Sequence, residues 1–411
     1  MTRGMSRFTA AMAAIALAGA CSGGGSDESG DAPPEPAAVA EESAAPEPEE
    51  FEGDDFYAVP DPLPEGEHGD LIRYEVVDDG AVEDATRYRI MYLSESVPGD
   101  PIAVTGTAIV PDADAPAQGR EILTLAHGTT GIADECAPSK NPTGGEGALA
   151  SASVEAGYLV ASTDYEGLGT PGRHPYLVGE SEGRSVLDAA RAVTQLPGAD
   201  AGERMAIAGY SQGGHGALFA GELVADWTPE LELVGTFAGA PATELPVIIG
   251  AGRSLPIPGF LYMIVAGFNA AYPDRADPAL LLTETGVETL DNVDTGCTGE
   301  VMASVAGVPS SDLVKPDPGS VEPWATLAAE NNPGRVKTDS PVLIVHSSGD
   351  DVVPAALSEA AFTRMCEVGQ QVERRVIDAG GHGEAAPPAF IQGMDWIAER
   401  FAGEPATSTC P

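Results

Sequence analysis

Gly209-Tyr210-Ser211-Gln212-Gly213 follows the apolar run 205–208 and opens a stretch, 212–225, that reads as a helix. This Gly-x-Ser-x-Gly decides how the rest of the chain is read. A sharp turn from a strand into a helix lifts a serine oxygen above the edge of a sheet, and glycines on either side tolerate the crowding. The helix start then aims free N–H groups and the positive end of its dipole at any oxyanion forming on that side. The pentapeptide also occurs by chance; the strand before it and the helix after it make it specific here.

Outward from that turn, short apolar runs rich in β-branched residues alternate with helical stretches. Strands are expected at 122–126, 158–163, 205–208, 233–237, 342–346 and 373–377, and helices at 148–156, 185–195 and 212–225. A helix also follows each of the last two strands. Such alternation gives an α/β fold with a mostly parallel central sheet flanked by helices. Three earlier runs, 71–77, 86–93 and 102–110, have few helices between them and form an antiparallel lead-in to the sheet. Residues 241–340 break the rhythm. Within them, 245–272 is rich in Ile, Val, Phe, Met and Gly and is interrupted by Pro246, Pro256 and Pro258. It reads either as an inserted helical cap over the sheet's C-terminal edge or as ordinary core helices. No internal repeat is evident.

A nucleophilic serine needs a base and a group that orients it, supplied along this kind of chain in the order Ser, acid, His. His346-Ser347-Ser348-Gly349-Asp350-Asp351-Val352-Val353-Pro354 follows a buried strand and puts an acid in the turn beyond it. Asp350 and Asp351 compete for the role. Six histidines narrow the base. His68 lies near the start of the domain, His127 in the turn after a strand and His174 in a Pro-rich loop. His215 is one helical turn past Ser211, where packing is the expected job, and His346 sits within or at the end of a strand. His382, in Asp378-Ala379-Gly380-Gly381-His382-Gly383, follows the last strand in a Gly-flanked loop that can reach the sheet edge. It is the candidate base. Two backbone donors are needed for an oxyanion. The N–H of Gln212 is one, and the N–H of Thr129, in His127-Gly128-Thr129-Thr130-Gly131, is the other unless that segment is a plain glycine turn. Asp164-Tyr165-Glu166-Gly167-Leu168-Gly169 ends another strand at the same edge, as pocket wall or structural turn, and receives no catalytic role.

Charge and the N-terminus bound the setting. Arg3 and Arg7 precede the apolar run 8–20, and Cys21 follows. That is a signal peptide over 1–20, with an apolar region too short to span a bilayer. Leu17-Ala18-Gly19-Ala20-Cys21 resembles a lipobox, with Ala18 where a large apolar residue is usual. Lipidation of Cys21 and ordinary cleavage after Ala20 are the two readings. Residues 22–55 hold 12 carboxylates and no Lys or Arg, so they are expected to form an unstructured acidic tether. The expected location is an exported, membrane-anchored lipoprotein at the cell surface or periplasm, otherwise a secreted protein. The net charge of −44 falls only to −34 when residues 1–55, with their 12 acids and two bases, are set aside. Nucleic acid and anionic membrane surfaces repel such a domain, and a surface adapted to salt is one reading of it. Cys136, Cys297, Cys366 and Cys410 suggest two disulfides in an exported chain, with three possible connectivities. The lack of any Cys-x-x-Cys argues against a thiolate metal site.

Taken together, the turn at His127, Asp164-Tyr165-Glu166-Gly167, Gly209-Tyr210-Ser211-Gln212-Gly213, the acid loop at Asp350 and the late His382 resemble the secretory lipase family. They span most of residues 70–400. The resemblance implies the α/β-hydrolase fold with an inserted helical lid over an acyl pocket, and cleavage of carboxylic esters without a cofactor. As other hydrolases of this fold use it, Asp-x-Val-Val-Pro selects Asp350, completing Ser211, Asp350 and His382 as the triad. The family also implies the pairings Cys136 with Cys297 and Cys366 with Cys410. The acidic tether and the extreme charge depart from it, and leave open whether the substrate is a lipid ester or a soluble small-molecule ester. The expected state is a monomer. A short-chain esterase, a serine peptidase of the same fold and a non-catalytic surface binding protein are the rival readings.

Overall fold

In a computed structural model, the structure describes residues 48–78, 80, 82–140, 152–254 and 258–411. The apolar runs on either side of the serine turn are strands: β1 (Glu49–Glu50), β2 (Leu71–Val76), β3 (Ala85–Glu95), β4 (Pro101–Pro111), β5 (Arg120–Ala126), β6 (Leu159–Thr163), β7 (Ala201–Tyr210), β8 (Glu232–Gly239), β9 (Val342–Ser347) and β10 (Val372–Ile377). They make one sheet in the order β1-β2-β3-β4-β6-β5-β7-β8-β9-β10. The lead-in is antiparallel, through β2, β3 and β4 to the β4–β6 pair. From β6 to β10 every neighbour runs parallel.

The inner parallel strands are apolar over most of their length because both of their faces are covered, whereas the edge strand β10 carries Glu373, Arg374 and Arg375. Ile122, Leu159, Met205 and Ile207 face one side and meet Val186, Leu187, Ala217 and Ala220 of the helices Gly179–Val193 and Gln212–Trp227. Their neighbours Leu123, Val160, Ala206 and Ala208 face the other side and meet Trp396, Ile397 and Phe401 of the helix His382–Phe401. This is the α/β-hydrolase architecture, with the serine turn at the C-terminal end of β7. Among the described residues no helix is long and apolar enough to cross a membrane.

The described residues of 240–341, between β8 and β9, add no strand to the sheet and form short helices, Pro258–Ala271 the longest among them. They build a core of their own. Tyr262, Phe268, Leu281, Trp324 and Leu327 bury against one another and against Ile132 and Tyr176 to Val178, apart from the clusters on the sheet. Phe268 and Trp324 stack with ring centroids 5.9 Å apart. Of the two readings of 245–272, this packing fits the inserted unit. Removing the Trp324 ring would cost about 3–5 kcal/mol.

Among the bonds that fasten the insertion, some lie at its start, its end and midway. At its start, the Glu244 N–H donates to Asn332 Oδ1 over 2.7 Å, and the Glu244 carboxylate pairs with Arg364 Nη1 over 2.6 Å. At its end, Arg364 Nη2 donates to Pro333 O over 2.7 Å. Midway, Cys136 and Cys297 form a disulfide beside a backbone bridge between Gly131 and Cys297, and the Thr298 N–H donates to Thr130 O over 2.9 Å. The second disulfide, Cys366–Cys410, ties the C-terminal segment to the helix Ala355–Glu367. Both pairings are those the family resemblance implied.

Two expectations change. The acidic segment expected to stay unstructured to Asp55 enters the fold earlier, because Glu49 and Glu50 pair in parallel with Arg73 and Tyr74 of β2. Phe51 then packs edge-on against Phe56 and beneath the Arg73 guanidinium, which lies 4.6 Å from its ring centre. His382, placed in a loop by its glycines, is instead the first residue of the last helix. Residues 1–20, Cys21 and 22–47 lie outside the described residues, as do 148–151 of the helix expected at 148–156, of which 152–155 is helical.

Candidate active site

The turn at Ser211 is shaped by backbone contact. Ser211 takes φ 62° and ψ −120°, a conformation that costs a non-glycine residue about 1–3 kcal/mol. The surroundings hold it there. Its N–H donates to Gly239 O of β8 over 2.9 Å, and its carbonyl accepts from the N–H groups of His215 and Ala242, each over 3.2 Å. A methyl group on Gly209 would strike Gly213 O, and one on Gly213 would strike Ala126 O at the end of β5. The glycines of the motif are therefore required by the close approach of β7, the helix start and the end of β5. The segment 127–131 runs alongside: a side chain at Gly128 would begin 3.4 Å from Tyr210 O and 4.0 Å from Ser211 Cβ.

Asp350 and His382 meet across the next strand ends. Asp350 Oδ2 accepts from His382 Nδ1 over 2.7 Å. His346 Nε2 lies 3.3 Å from the same oxygen and 2.8 Å from Val353 O, so it must carry a proton to serve either. Asp350 Oδ1 accepts from the N–H groups of Val352 at 3.0 Å and Val353 at 2.8 Å. Burial alone would raise the Asp350 carboxyl. Hydrogen bonds from His346, His382 and the two backbone N–H groups outweigh it and hold the carboxyl well below the usual carboxylate range. The acid is thus a permanent anion on one nitrogen of the His382 ring, which turns Nε2 away from it.

Two neighbours fix where that ring sits. The His382 N–H donates to Asp351 Oδ1 over 2.9 Å, and the Tyr210 hydroxyl donates to His382 O over 2.7 Å. The Tyr210 and His382 rings lie 5.0 Å apart, and Tyr210 is the residue before Ser211. Burial, then the charge of Asp350, raises the Tyr210 hydroxyl, so it stays a donor. Asp351, exposed in the turn beside Asp350, also holds the backbone of His382 at the start of the last helix. Neither Tyr210 nor His346 stood out in the sequence. A histidine four positions before the acid was the one available hint.

Gln212 begins the helix after Ser211, and Thr129 follows Gly128 on the segment that runs beside Tyr210 and Ser211. Three of the four remaining histidines, His127, His174 and His215, are buried in hydrogen bonds. His215 places Nδ1 2.6 Å from Glu182 Oε2 and Nε2 3.0 Å from Asn331 O. His174 donates from Nδ1 to Glu166 O over 2.9 Å, and burial pushes it down to about 4, so it is neutral and its Nε2 accepts. His127 turns its ring nitrogens to Gly128 O and Asp164 O. The Asp164 carboxylate takes the Ser139 N–H over 2.8 Å and the Thr105 hydroxyl over 2.7 Å, away from Asp350 and His382. Asp164 therefore knots a turn.

Chemically, the arrangement offers a hydroxyl on a half-buried turn, an imidazole oriented by a buried carboxylate, and a helix start beside the serine. Acyl transfer needs these parts. The chain matches the family described as Secretory lipase over residues 140–409. It is 26% identical to a secreted triacylglycerol lipase of Malassezia globosa, over 87% of this chain and 82% of that one. It is also 24% identical to a Mycobacterium tuberculosis protein described as a probable inactive lipase, over 78% of this chain and 75% of that one. Among solved structures, lipase A of Candida antarctica superposes with a TM-score of 0.75 at 21% identity, covering 87% of each chain.

Proposed function

This chain belongs to the secretory lipase family, and on that footing we propose that it hydrolyses carboxylic esters through Ser211, His382 and Asp350. The observation that carries the reading is the 2.7 Å bond between His382 Nδ1 and Asp350 Oδ2, with the imidazole lying beside Tyr210 next to the serine turn. Its relatives include one named as a triacylglycerol lipase and one named as a probable inactive lipase, so the argument rests on these residues.

In this mechanism Ser211 Oγ attacks the ester carbonyl carbon while its proton passes to His382 Nε2. Asp350 keeps the imidazole in the required tautomer and stabilises its charged form. The carbonyl oxygen becomes an oxyanion facing the N–H groups of Gln212 and Thr129. The carbon–oxygen bond to the alcohol then breaks, and the alcohol leaves with the proton from Nε2. A water gives a proton to Nε2, attacks the acyl-enzyme and releases the carboxylic acid, restoring Ser211. No step calls for a cofactor.

The name of the Malassezia relative supports a lipid ester as substrate, with the insertion as a lid over the acyl group. The net charge of −44 favours the second reading, a soluble short-chain ester, because anionic lipid surfaces repel it. Export is supported by the charged and then apolar residues 1–20 and by that secreted relative. A lipid on Cys21, an acidic tether behind it and a monomeric state belong to the same reading. Ser211→Ala should stay folded and lose hydrolysis of p-nitrophenyl acyl esters by about 10⁶-fold. A fluorophosphonate should label Ser211 in the parent chain. Retained hydrolysis in the variant would sink the assignment. Rates across a series of acyl lengths, above and below substrate solubility, separate lipase from esterase.

A further inference from the structure

Both oxyanion donors belong to residues whose side chains are gripped by one short segment. The Tyr176 hydroxyl lies 2.8 Å from Thr129 Oγ1. Six residues on, Glu182 Oε1 accepts from Gln212 Nε2 over 2.9 Å, and the same Nε2 donates to His174 Nε2 over 2.8 Å. The segment between is stiff. The Tyr176 N–H donates to His174 O, the Val178 N–H donates to Pro175 O, and the Leu177 N–H donates to Glu182 Oε1 over 3.0 Å. Glu182 also holds His215, one turn along the Ser211 helix, and His174, Tyr176 and Glu182 are all buried.

This segment is pressed from both sides. The Ser211 helix rests on it through Gly216, where a side chain would begin 3.3 Å from Glu182 Cβ. The insertion backs it through the helix Pro258–Ala271, where a methyl on Gly267 would strike the Tyr176 backbone. Asn331, at the end of the insertion, accepts from the Gly179 N–H over 2.9 Å and from His215 Nε2. The rear of the site and the insertion therefore share one set of contacts.

We propose that His174 to Glu182 is a template that sets the spacing of the two oxyanion donors, with Tyr176 positioning Thr129 and with His174 and Glu182 positioning Gln212. The inference rests on the ester-hydrolase reading above and deepens it. Donors of a preorganised hole help only where they meet the oxyanion and not the ground-state carbonyl, so a displaced donor lowers kcat and spares KM. None of the three residues touches substrate in this scheme. They act through the backbone of their partners.

The test is a double-mutant cycle on the full chain, with Tyr176→Phe, Thr129→Val and the pair. Each keeps its backbone N–H and removes one end of the hydroxyl contact. Each single variant and the double should lose the same roughly three- to tenfold in kcat, the size of one neutral hydrogen bond. KM should stay within about twofold, and affinity for an alkyl boronic acid, a mimic of the tetrahedral oxyanion, should fall by the factor lost in kcat. Thr129→Ser, which restores the hydroxyl, should recover the parent rate. Gln212→Met should lower kcat in the same way and multiply with Tyr176→Phe, because the two donors are gripped separately. Multiplying losses within the Tyr176–Thr129 cycle, a change in KM alone, or a lowered melting temperature with unchanged kcat would overturn the template. If Tyr176→Phe does not fold, Thr129→Val against Thr129→Ser decides the same point. A parent chain that fluorophosphonate does not label overturns the hydrolase reading and the template with it. A labelled, active parent with unchanged variants overturns the template alone.

Discussion

The serine side of the site and the acid–base side are held in place by different forces. Ser211 is fixed by its main chain: a positive φ, hydrogen bonds to β8 and to its own helix, and two glycines with strand backbone against them. Asp350 and His382 are fixed by side chains, through a carboxylate with four donors around it and a histidine held by Asp351 and Tyr210. Backbone packing restricts which residue types fit and tolerates no added atom. A side-chain network tolerates isosteric change in shape while losing its chemistry. The same reaction centre should therefore fail in two different ways.

Asp350→Asn is the strongest way to sharpen that contrast. It keeps the shape of the acid and should lower kcat about 10⁴-fold, by favouring the wrong imidazole tautomer, while the melting temperature stays close to the parent. A melting temperature that collapses with the rate would place Asp350 among the structural supports and break the contrast. Gly213→Ala should do the reverse. A methyl against Ala126 O should cost about 3 kcal/mol of stability, read by urea unfolding, and activity should fall with the fold. A stable but inactive Gly213→Ala would mean that the turn yields more than its packing suggests.

The third prediction concerns the support behind the serine. Burial pushes His174 down to about 4 from an ordinary 6.5, so the unfolded chain takes up a proton before the folded chain does. That contribution is complete above pH 6.5 and is lost as the pH falls towards 4. Between pH 7 and pH 5 the parent should lose about 2 kcal/mol through this group. In His174→Gln the difference in unfolding free energy between those two pH values should shrink by that amount. An equal slope in parent and variant would count against a neutral His174. The smallest effect is expected for Asp351→Ala, about 1 kcal/mol for one hydrogen bond to the His382 backbone, seen as a loss in kcat of a few-fold. A loss as large as that of Asp350→Asn would show that Asp351 does more than hold the helix start.

The contrast also explains what could be read before any coordinates. Gly209 to Gly213 was legible because local sterics fix residue types within five positions, and the strands around it were legible because burial on both faces leaves continuous apolar runs. His382 emerged by eliminating five other histidines. Asp350 over Asp351 needed a family pattern, because adjacent carboxylates in one turn differ only in where their side chains point. The grip of His346 on Asp350, of Asp351 on His382 and of Tyr176 on Thr129 depends on long-range geometry that no local pattern encodes. The apolar run 245–272 signalled burial but not its partner, and so left cap and core equally open. At the N-terminus, acid-rich composition outweighed Phe51, whose ring under Arg73 is what draws Glu49 and Glu50 onto the sheet edge.

The bond between Cys136 and Cys297 has a mechanical consequence. A door swings because it is hung along one side only. The inserted unit is pinned at both ends by Glu244, Asn332 and Arg364, and is bolted near its middle to the strip carrying Thr129. Further bonds hold it elsewhere, from the Gly179 N–H to Asn331 Oδ1 and from Arg173 to Asp294, so no single edge serves as a hinge. Cutting the disulfide would remove the tie beside Thr129 and loosen the strip that carries it.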